Sequence, residues 1–344
     1  MKNQTETQRR KTNQLRINLE ENVLSSLRTG LEKYHFRHCA LPEINLDDID
    51  TTVEFLGKRV AVPFLISSMV GGTEESYRIN HILASAANRY NLAMGLGSQR
   101  AGIEKESVMQ TFKVRDIAPN ILLFANLGAV QLNYGYTIQH CQSAVDAIGA
   151  DALLLHLNPL QEALTENGDT HFVGLLSKIE SICRLLKVPV IVKEVGWGIS
   201  AEVAKKLVDA GVQAIDVAGA GGTSWSEVEK YRMKLPEHKE VAAAFKDWGI
   251  PTAECIQEIR DKFPELTIIA SGGLKNGVDV AKCIALGACL GGIARQFLIA
   301  AAESEEALDR RISVYIQQFT IAMFACGAKS IHDLQDNKLI KFQE

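Results

Sequence analysis

The chain has 344 residues, of which 47% are hydrophobic and 23% charged, an ordinary globular composition that allows a large core. The formal net charge of −4 argues against a nucleic-acid partner, and the absence of any apolar run of about 18 residues argues against a membrane span. Residues 1–20 lack the apolar core of a signal peptide, and the seven cysteines never form a CxxC spacing. We therefore expect a cytoplasmic protein with reduced thiols and no membrane contact.

Eight short apolar runs recur along the chain, each followed by a polar or glycine-rich segment that we call corners one to eight. The runs are residues 62–66, 92–96, 121–125, 152–157, 190–193, 214–218, 267–270 and 289–293. Their continuous hydrophobic character is typical of parallel strands buried on both faces. Helical patterns precede most of the runs, and glycines suited to cap a helix end several of them, at Gly149, Gly211 and Gly287.

Eight strand and helix repeats predict a single (β/α)8 TIM barrel domain over residues 1–344. An open, doubly wound sheet is the alternative, but the count is eight and no single glycine fingerprint dominates. Residues 1–58 are expected to form an N-terminal arm with helices and a loop, ahead of the barrel at 59–344. We expect a long loop after strand six at 223–249, and the last helices at 304–344.

In such a barrel the corners converge on one mouth, where active sites lie. Corners seven and eight, SGGLKNG at 271–277 and GIAR at 292–295, predict a phosphate site made of backbone N–H groups. Gly272 and Gly273 would let the backbone approach an anion closely. Corner six, residues 219–224, offers a second backbone cradle with hydroxyl groups.

Lys193 ends the fifth run and is expected to point into the mouth. It could form a Schiff base, pair with a carboxylate or stabilise a developing anion, and beside a flavin the third role is natural. The tryptophans Trp197, Trp225 and Trp248 are expected to pack rather than to stack on a ligand.

Corner four places His156, Asn158, Gln161 and Glu162 within seven residues. Glu162 could hold Mg2+ through one oxygen, with water and substrate phosphates completing the octahedron. His156 has an alternative role as a purely structural, hydrogen-bonded residue at a strand end.

Together these corners are similar to those of the type 2 isopentenyl diphosphate isomerases, flavin enzymes of isoprenoid synthesis. The motifs HLNPLQE, VKEVGWGIS, VAGAGGTSW and SGGLKNGVDVAK occur in that family's order and spacing, from Arg10 to about Leu334. The resemblance implies a barrel that binds FMN, needs Mg2+ and uses NADPH or NADH only to reduce the flavin. It implies interconversion of isopentenyl diphosphate and dimethylallyl diphosphate by flavin-assisted allylic proton transfer without net redox change.

The same resemblance assigns roles residue by residue. Arg10 and Lys11 resemble a diphosphate-binding pair, and Ser98, Gln99 and Arg100 a second diphosphate corner. Gln161, His156 and Lys193 fall on active-site positions, Asn158 and Gln161 on substrate-binding positions, and Glu162 on the magnesium ligand. The flavin positions are Ser68, Met69, Val70, Ser98, Asn126, Lys193, Thr223, Gly272, Gly273, Lys275, Ala294 and Arg295. A homo-oligomer, tetramer or octamer, is implied as well.

Two positions depart from the family pattern. Gln14 stands where the family usually carries a histidine, and it can donate a hydrogen bond but carries no charge. Val70 replaces a threonine, so one hydroxyl is lost, at a cost of about 1–3 kcal/mol if its buried partner is left bare. We expect these changes to affect substrate and flavin affinity and to leave the reaction class unchanged.

Two other functions remain open. A flavin-dependent 2-hydroxy-acid oxidoreductase would carry a histidine in corner six, which instead begins Gly219-Ala220-Gly221-Gly222. A catalytically idle flavin- or prenyl-phosphate-binding protein is suggested by Gln14 and Val70. The retained corner four and Lys193 argue against it, because a scaffold needs neither a magnesium ligand nor an anion-stabilising group.

Overall fold

The computed structural model describes residues 6–336 and 339–342. Before the barrel lie the α-helix α1 (Glu6–Glu20) and three short strands, β1 (Tyr34–Phe36), β2 (Val53–Phe55) and β3 (Lys58–Val60). Strands β2 and β3 form an antiparallel hairpin with Val53 opposite Val60. Phe55 and Val60 of this hairpin are buried against the side chains that fill the barrel interior, so the hairpin closes the barrel at its amino-terminal end.

The predicted barrel is confirmed. Eight parallel strands close into one sheet in sequence order, the last pairing with the first. They are β4 (Phe64–Ile66), β5 (Ala93–Gly95), β6 (Leu123–Gly128), β7 (Ala152–His156), β8 (Val190–Lys193), β9 (Ala214–Asp216), β10 (Thr267–Ser271) and β11 (Leu290–Ile293). Each strand falls on one of the eight apolar runs, because strands buried on both faces have no polar side to interrupt the run.

Helices surround the sheet. They are α2 (Glu74–Tyr90), α3 (Arg100–Glu104), α4 (Glu106–Met109), α5 (Ile138–Ile148), α6 (Pro159–Leu164), α7 (Leu175–Leu185), α8 (Ala201–Asp209), α9 (Trp225–Arg232), α10 (Pro236–Ala243), α11 (Thr252–Lys262), α12 (Gly277–Ala285), α13 (Arg295–Glu303), α14 (Glu305–Ala325) and α15 (Ile331–Gln335). Short 3-10 helices cover Leu31–Lys33, Leu46–Asp48, Gln110–Phe112 and Ala129–Tyr134. None of the helices in the described ranges has the length and apolar character that crossing a membrane requires.

Local sequence explains where several helices begin and end. The side chains of Thr73, Ser200, Asn276 and Ser304 each accept a hydrogen bond from a backbone N–H in the first turn of the helix that follows. Gly149 ends α5 in the left-handed conformation at φ 59°, as its position before a strand predicted.

The structure differs from the sequence prediction outside the barrel strands. The segment 223–249, expected as a long loop, contains α9 and α10, and Pro236 occupies the first turn of α10. The C-terminal segment adds β12 (Leu339–Lys341), which pairs antiparallel with β1 through Tyr34 and Lys341. Three-residue strands that pair across about 300 residues leave no periodic signal in the sequence.

Candidate functional site

A cavity of about 270 Å3 opens at the carboxyl ends of the barrel strands. It is lined by nearly all the side chains that the sequence analysis singled out: Arg10, Lys11, Ser68, Met69, Val70, Ser98, Arg100, Asn126, His156, Asn158, Gln161, Glu162, Lys193, Thr223, Gly272, Gly273, Lys275, Ala294 and Arg295. These residues come from the arm and from the ends of all eight barrel strands, so the fold brings together residues up to 285 positions apart, from Arg10 to Arg295.

Gln99 is the exception, because its side chain lies beneath the cavity wall. It is fully buried, its Nε2 donates to the carbonyl oxygen of Ala144 at 2.9 Å, and its Oε1 accepts from the backbone N–H of Asn126 at 3.0 Å. Both ends of the amide are therefore used to join β6 to its neighbours. The side chain of Gln99, expected from the sequence to bind substrate, therefore lies outside the cavity lining, and its role stays a prediction.

Helix α1 lies across the mouth and is attached to several corners. Lys11 Nζ donates to the carbonyl oxygen of Ser98 at 2.5 Å, and the Ser25 N–H donates to the carbonyl of Gly222 at 2.9 Å. Arg295 Nε donates to the carbonyl oxygen of Asn18 at 3.2 Å, so this guanidinium binds the end of α1. The arm therefore forms a roof that carries two cationic side chains, Arg10 and Lys11, over the cavity.

Burial and neighbouring cations act on Lys11. Desolvation first, then the charges of Arg10 and Arg100, lower the pKa of this ammonium from 10.5 to about 7. Its nitrogen also lies 5.0 Å from the centre of the Phe112 ring. Near pH 7 a large fraction of this side chain is therefore neutral, and an anion that binds beside it would favour the charged form.

Arg100 is positioned by two carboxylates. Its NH1 lies 2.6 Å from Asp169 Oδ2, and its Nε lies 2.7 Å from Glu104 Oε1. Gln131 Nε2 donates to the same Asp169 oxygen at 2.8 Å. Asp169 is a residue that sequence reasoning missed, because it lies in a polar stretch without any recognisable motif.

His156 is held in one orientation by Asn126. The ring Nδ1 lies 2.9 Å from Asn126 Oδ1, an acceptor, so the ring proton is on Nδ1 and Nε2 is the hydrogen-bond acceptor. Burial, followed by the charges of Lys193, Lys11 and Arg10, lowers the pKa of His156 from 6.5 to about 3. The imidazole is therefore neutral near pH 7.

Glu162 is a buried carboxylate whose two oxygens are both oriented by the chain. Oε1 accepts from Asn158 Nδ2 and Oε2 from the backbone N–H of Asp169, each at 2.8 Å. The part of the chain that the structure describes contains no group of three or more His, Cys, Asp or Glu side chains arranged around a metal. One carboxylate at a cavity wall fits Mg2+, which is commonly held by one or two carboxylates with waters and substrate phosphates.

Gln161 and Gln14 share one acceptor, Glu229 on α9. Glu229 Oε1 accepts from Gln161 Nε2 at 3.2 Å and from Gln14 Nε2 at 3.0 Å, and its Oε2 pairs with Arg232. Glu229 is only 1% exposed. Sequence reasoning missed it because its segment was expected to be a loop. Gln14, the departure from the family pattern, thus contacts the same carboxylate as Gln161.

Glycines of corners six and seven form a close cradle. A Cβ on Gly222 would lie 2.6 Å from the Gly273 nitrogen, and one on Gly273, at φ +77°, would lie 2.5 Å from the Gly221 carbonyl oxygen. Helix α13 begins at Arg295 beside them, with its N–H groups directed toward the cavity end of the strands. Ser67 Oγ and Ser68 Oγ are buried with no hydrogen-bond partner among the described residues, so two donors remain for a ligand.

Lys193 and Trp225 complete the lining. Lys193 Nζ donates to the carbonyl oxygen of Glu194 at 2.5 Å and lies 3.8 Å from Asp216 Oδ2. Trp225, expected to pack in the interior, lines the cavity and also packs on the small apolar cluster of Ile17, Val23 and Val228. Lys275 also lines the cavity, and its backbone N–H donates to Asp279 Oδ2 at 2.9 Å.

Comparison with known proteins supports this arrangement. A family model described as FMN-dependent dehydrogenase matches residues 140–341, which include corners four to eight. The isopentenyl-diphosphate delta-isomerase of Nostoc sp. is 52% identical over 331 residues, covering 96% of this chain and 95% of that protein. The protein of the same name from Synechococcus sp. is 54% identical over 316 residues, covering 92% and 91%.

Solved structures share the barrel at low sequence identity. A mandelate oxidase variant superposes with a TM-score of 0.68 at 19% identity, covering 97% of this chain and 98% of that one, which supports the fold alone. The match to the FMN-dependent family, the glycine cradle and the free serine hydroxyls agree on FMN as the cofactor. Because its relatives are about half identical over nearly their whole length, this chain belongs to the isopentenyl-diphosphate delta-isomerase family.

Proposed function

We propose that this protein interconverts isopentenyl diphosphate and dimethylallyl diphosphate, with FMN as a cofactor that undergoes no net redox change. One observation carries the proposal: a single cavity joins a cationic roof, Arg10 and Lys11, to the Gln161–Glu229 pair and Lys193. A diphosphate ester of a short hydrocarbon has one strongly anionic end, which matches the cationic roof, and one apolar end, for which the same cavity offers Met69, Val70 and Trp225.

The anionic end would be bound by the roof and by corner two. Arg10, Lys11 and Arg100 supply three cationic side chains, and Asp169 and Glu104 fix the direction of the Arg100 guanidinium. We propose that Glu162 holds Mg2+ against the diphosphate, since its carboxylate lines the same cavity. Anchoring this end orients the hydrocarbon toward the groups that transfer the proton, and such positioning lowers the barrier of the reaction.

The glycine cradle, Ser67 and Ser68 would hold FMN, with Lys193 as the buried cation beside it. Reduced FMN supplies acid–base chemistry at an allylic carbon when bound. Lys193 would offset negative charge on the bound flavin, as a preorganised cation does.

The apolar end would face Gln161 and His156. Neutral His156 offers a lone pair on Nε2 and no acidic proton, because Nδ1–H is committed to Asn126. Gln161 is oriented at both ends of its amide. Its Nε2 donates to Glu229, and its Oε1 accepts from Asn158 Nδ2 at 3.1 Å. The α1 roof would shield these groups from water, which an intermediate with carbocation character requires.

The proposal extends to NADPH or NADH as the reductant of FMN and to a homo-oligomer, tetramer or octamer, in the cytoplasm. All seven cysteines lie in the described part of the chain and none forms a disulfide there, in keeping with a reducing compartment. Val314 and Ile321 are exposed apolar side chains seven residues apart on α14, a spacing that places them on one helix face for contact with another copy.

The test is an anaerobic conversion assay with purified protein, isopentenyl diphosphate, FMN, Mg2+ and NADPH, from which each component is omitted in turn. We expect turnover that requires all of them. A parallel arm offers mandelate and lactate to the oxidised holoenzyme. Flavin reduction by a 2-hydroxy acid, without isomerisation, would contradict the proposal and favour an oxidoreductase.

A further inference from the structure

Asp216 is a buried acid for which sequence reasoning assigned no role. It ends β9, is fully buried, and pairs in register with Lys193 on the neighbouring strand β8. On the other side, β9 pairs with β10, which ends two residues further on at Ser271. Three consecutive strands thus bring a cation, an acid and a hydroxyl to the same level of the barrel.

The contacts of Asp216 are asymmetric. Its Oδ1 accepts from Ser271 Oγ at 2.6 Å and from the Ala218 N–H at 3.3 Å. Its Oδ2 has no hydrogen-bond partner within the described residues and lies 3.8 Å from Lys193 Nζ. Ser271 therefore fixes the carboxylate from one side, and the other oxygen is left facing the Lys193 ammonium.

Charge balance explains why an acid belongs here. An isolated buried charge is costly, and an opposite charge on the next strand offsets part of that cost. Burial raises the pKa of the Asp216 carboxyl, while the Lys193 charge and the Ser271 hydrogen bond oppose that rise. Lys193 and Ser271 both line the cavity whereas Asp216 does not, so the acid acts on a ligand only through them.

We infer that Asp216 is a positioning residue for Lys193: with Ser271 it orients the ammonium and sets the net charge that a bound flavin meets. The inference concerns flavin binding in the free holoenzyme and requires no diphosphate substrate. It goes beyond the proposed reaction and stands or falls independently of the isomerase assay.

The test measures the midpoint potential of the bound flavin, which gives the ratio of the affinities for reduced and oxidised FMN. Asp216→Asn keeps the shape of the side chain and removes the charge, so the ammonium is no longer compensated. We expect reduced FMN to gain about tenfold in affinity relative to oxidised FMN, a shift of about 30 mV for a two-electron couple. Ser271→Ala, a milder change, should move the ratio in the same direction by about threefold.

The Asp216→Asn substitution is then made in a Lys193→Gln variant, which shows whether Asp216 acts through Lys193. Without the ammonium, burial favours the neutral acid at Asp216, so adding Asp216→Asn to Lys193→Gln should change the ratio by less than about twofold. Thr252→Val is the matched control, because Thr252 is also fully buried and donates to the Gly272 carbonyl at 2.7 Å without contacting Lys193. It should weaken both redox states equally.

Two results would overturn the inference. One is an unchanged affinity ratio, or one that favours oxidised FMN, in Asp216→Asn, since a purely structural acid would alter both states alike. The other is a shift in the Lys193→Gln background as large as in the native background, since Asp216 would then act without Lys193.

Discussion

Gln161 and Gln14 donate to the same oxygen of Glu229, so corner four and the roof helix are joined through one buried carboxylate. Corner four, α9 and α1 meet at this carboxylate, although Gln14 and Glu229 are 215 positions apart in the sequence. The carboxylate also pairs with Arg232, which offsets part of the cost of burying it.

Glu229→Gln should therefore lower kcat while leaving FMN affinity unchanged. The neutral amide is a weaker acceptor, and its NH2 group cannot pair with Arg232, so the side chain at 229 turns and Gln161 is held less firmly. We expect kcat to fall by about 10–100-fold. Steady-state kinetics and FMN titration check the result. Glu227→Gln is the matched control, since Glu227 is also buried on α9 and pairs with a base three residues later, Lys230. A Glu229→Gln enzyme as fast as Glu227→Gln would contradict the role.

Binding of a diphosphate above pH 7 should be accompanied by proton uptake at Lys11. The pKa of Lys11 in the free protein is about 7, so much of the side chain is neutral at pH 8 and becomes charged when an anion binds beside it. Isothermal titration calorimetry in buffers of different ionisation enthalpy measures this uptake. In Lys11→Arg the uptake should disappear, because arginine remains charged. Equal uptake by both proteins would show that another group titrates.

His156 should make the protein sensitive to acid. Its pKa is about 3 in the folded protein and about 6.5 when unfolded, so the unfolded state binds the proton first as pH falls. The stability from this residue is complete above pH 6.5 and is lost progressively from pH 6.5 to pH 3. Between pH 7 and pH 5 this loss is about 2 kcal/mol. Urea denaturation should show that His156→Gln loses less stability over that interval. An equal loss in both proteins would contradict the assignment.

Gly273→Ala should weaken FMN binding by more than about tenfold, because the added Cβ meets the Gly221 carbonyl inside the cradle. Gly135→Ala is the control: it has a similar positive φ, +91°, but nothing lies within 4 Å of the added atom. The control should lose about 1 kcal/mol of stability and bind FMN normally. Fluorescence titration with FMN measures both variants. Normal binding by Gly273→Ala would place the flavin elsewhere.

The sequence was informative about the barrel because continuous apolar runs, spaced by helical patterns, depend only on local burial. Most of the cavity lining was also predictable, since corners of a barrel converge and the motifs of corners four to eight are contiguous. Glu229, Asp169 and Asp216 were not predictable in the same way. Each is an isolated acid whose partner lies on another element, so its role follows from packing and not from spacing.

Gln99 illustrates the opposite case. It stands between Ser98 and Arg100, which both line the cavity, but the turn into α3 directs its side chain inward to Asn126 and Ala144. A motif identifies the neighbourhood of a site, whereas the side-chain direction of each member depends on the local backbone. The same holds for Arg295, whose guanidinium binds the end of α1 although the residue itself lines the cavity.

The most direct test of the account is the number of products formed per flavin. The holoenzyme is reduced with one equivalent of dithionite under anaerobic conditions, excess reductant is removed, and isopentenyl diphosphate with Mg2+ is added. We expect many molecules of dimethylallyl diphosphate per flavin while the absorbance of the flavin stays that of the reduced form. At most one product per flavin, with reoxidation of the flavin, would contradict a redox-neutral isomerase.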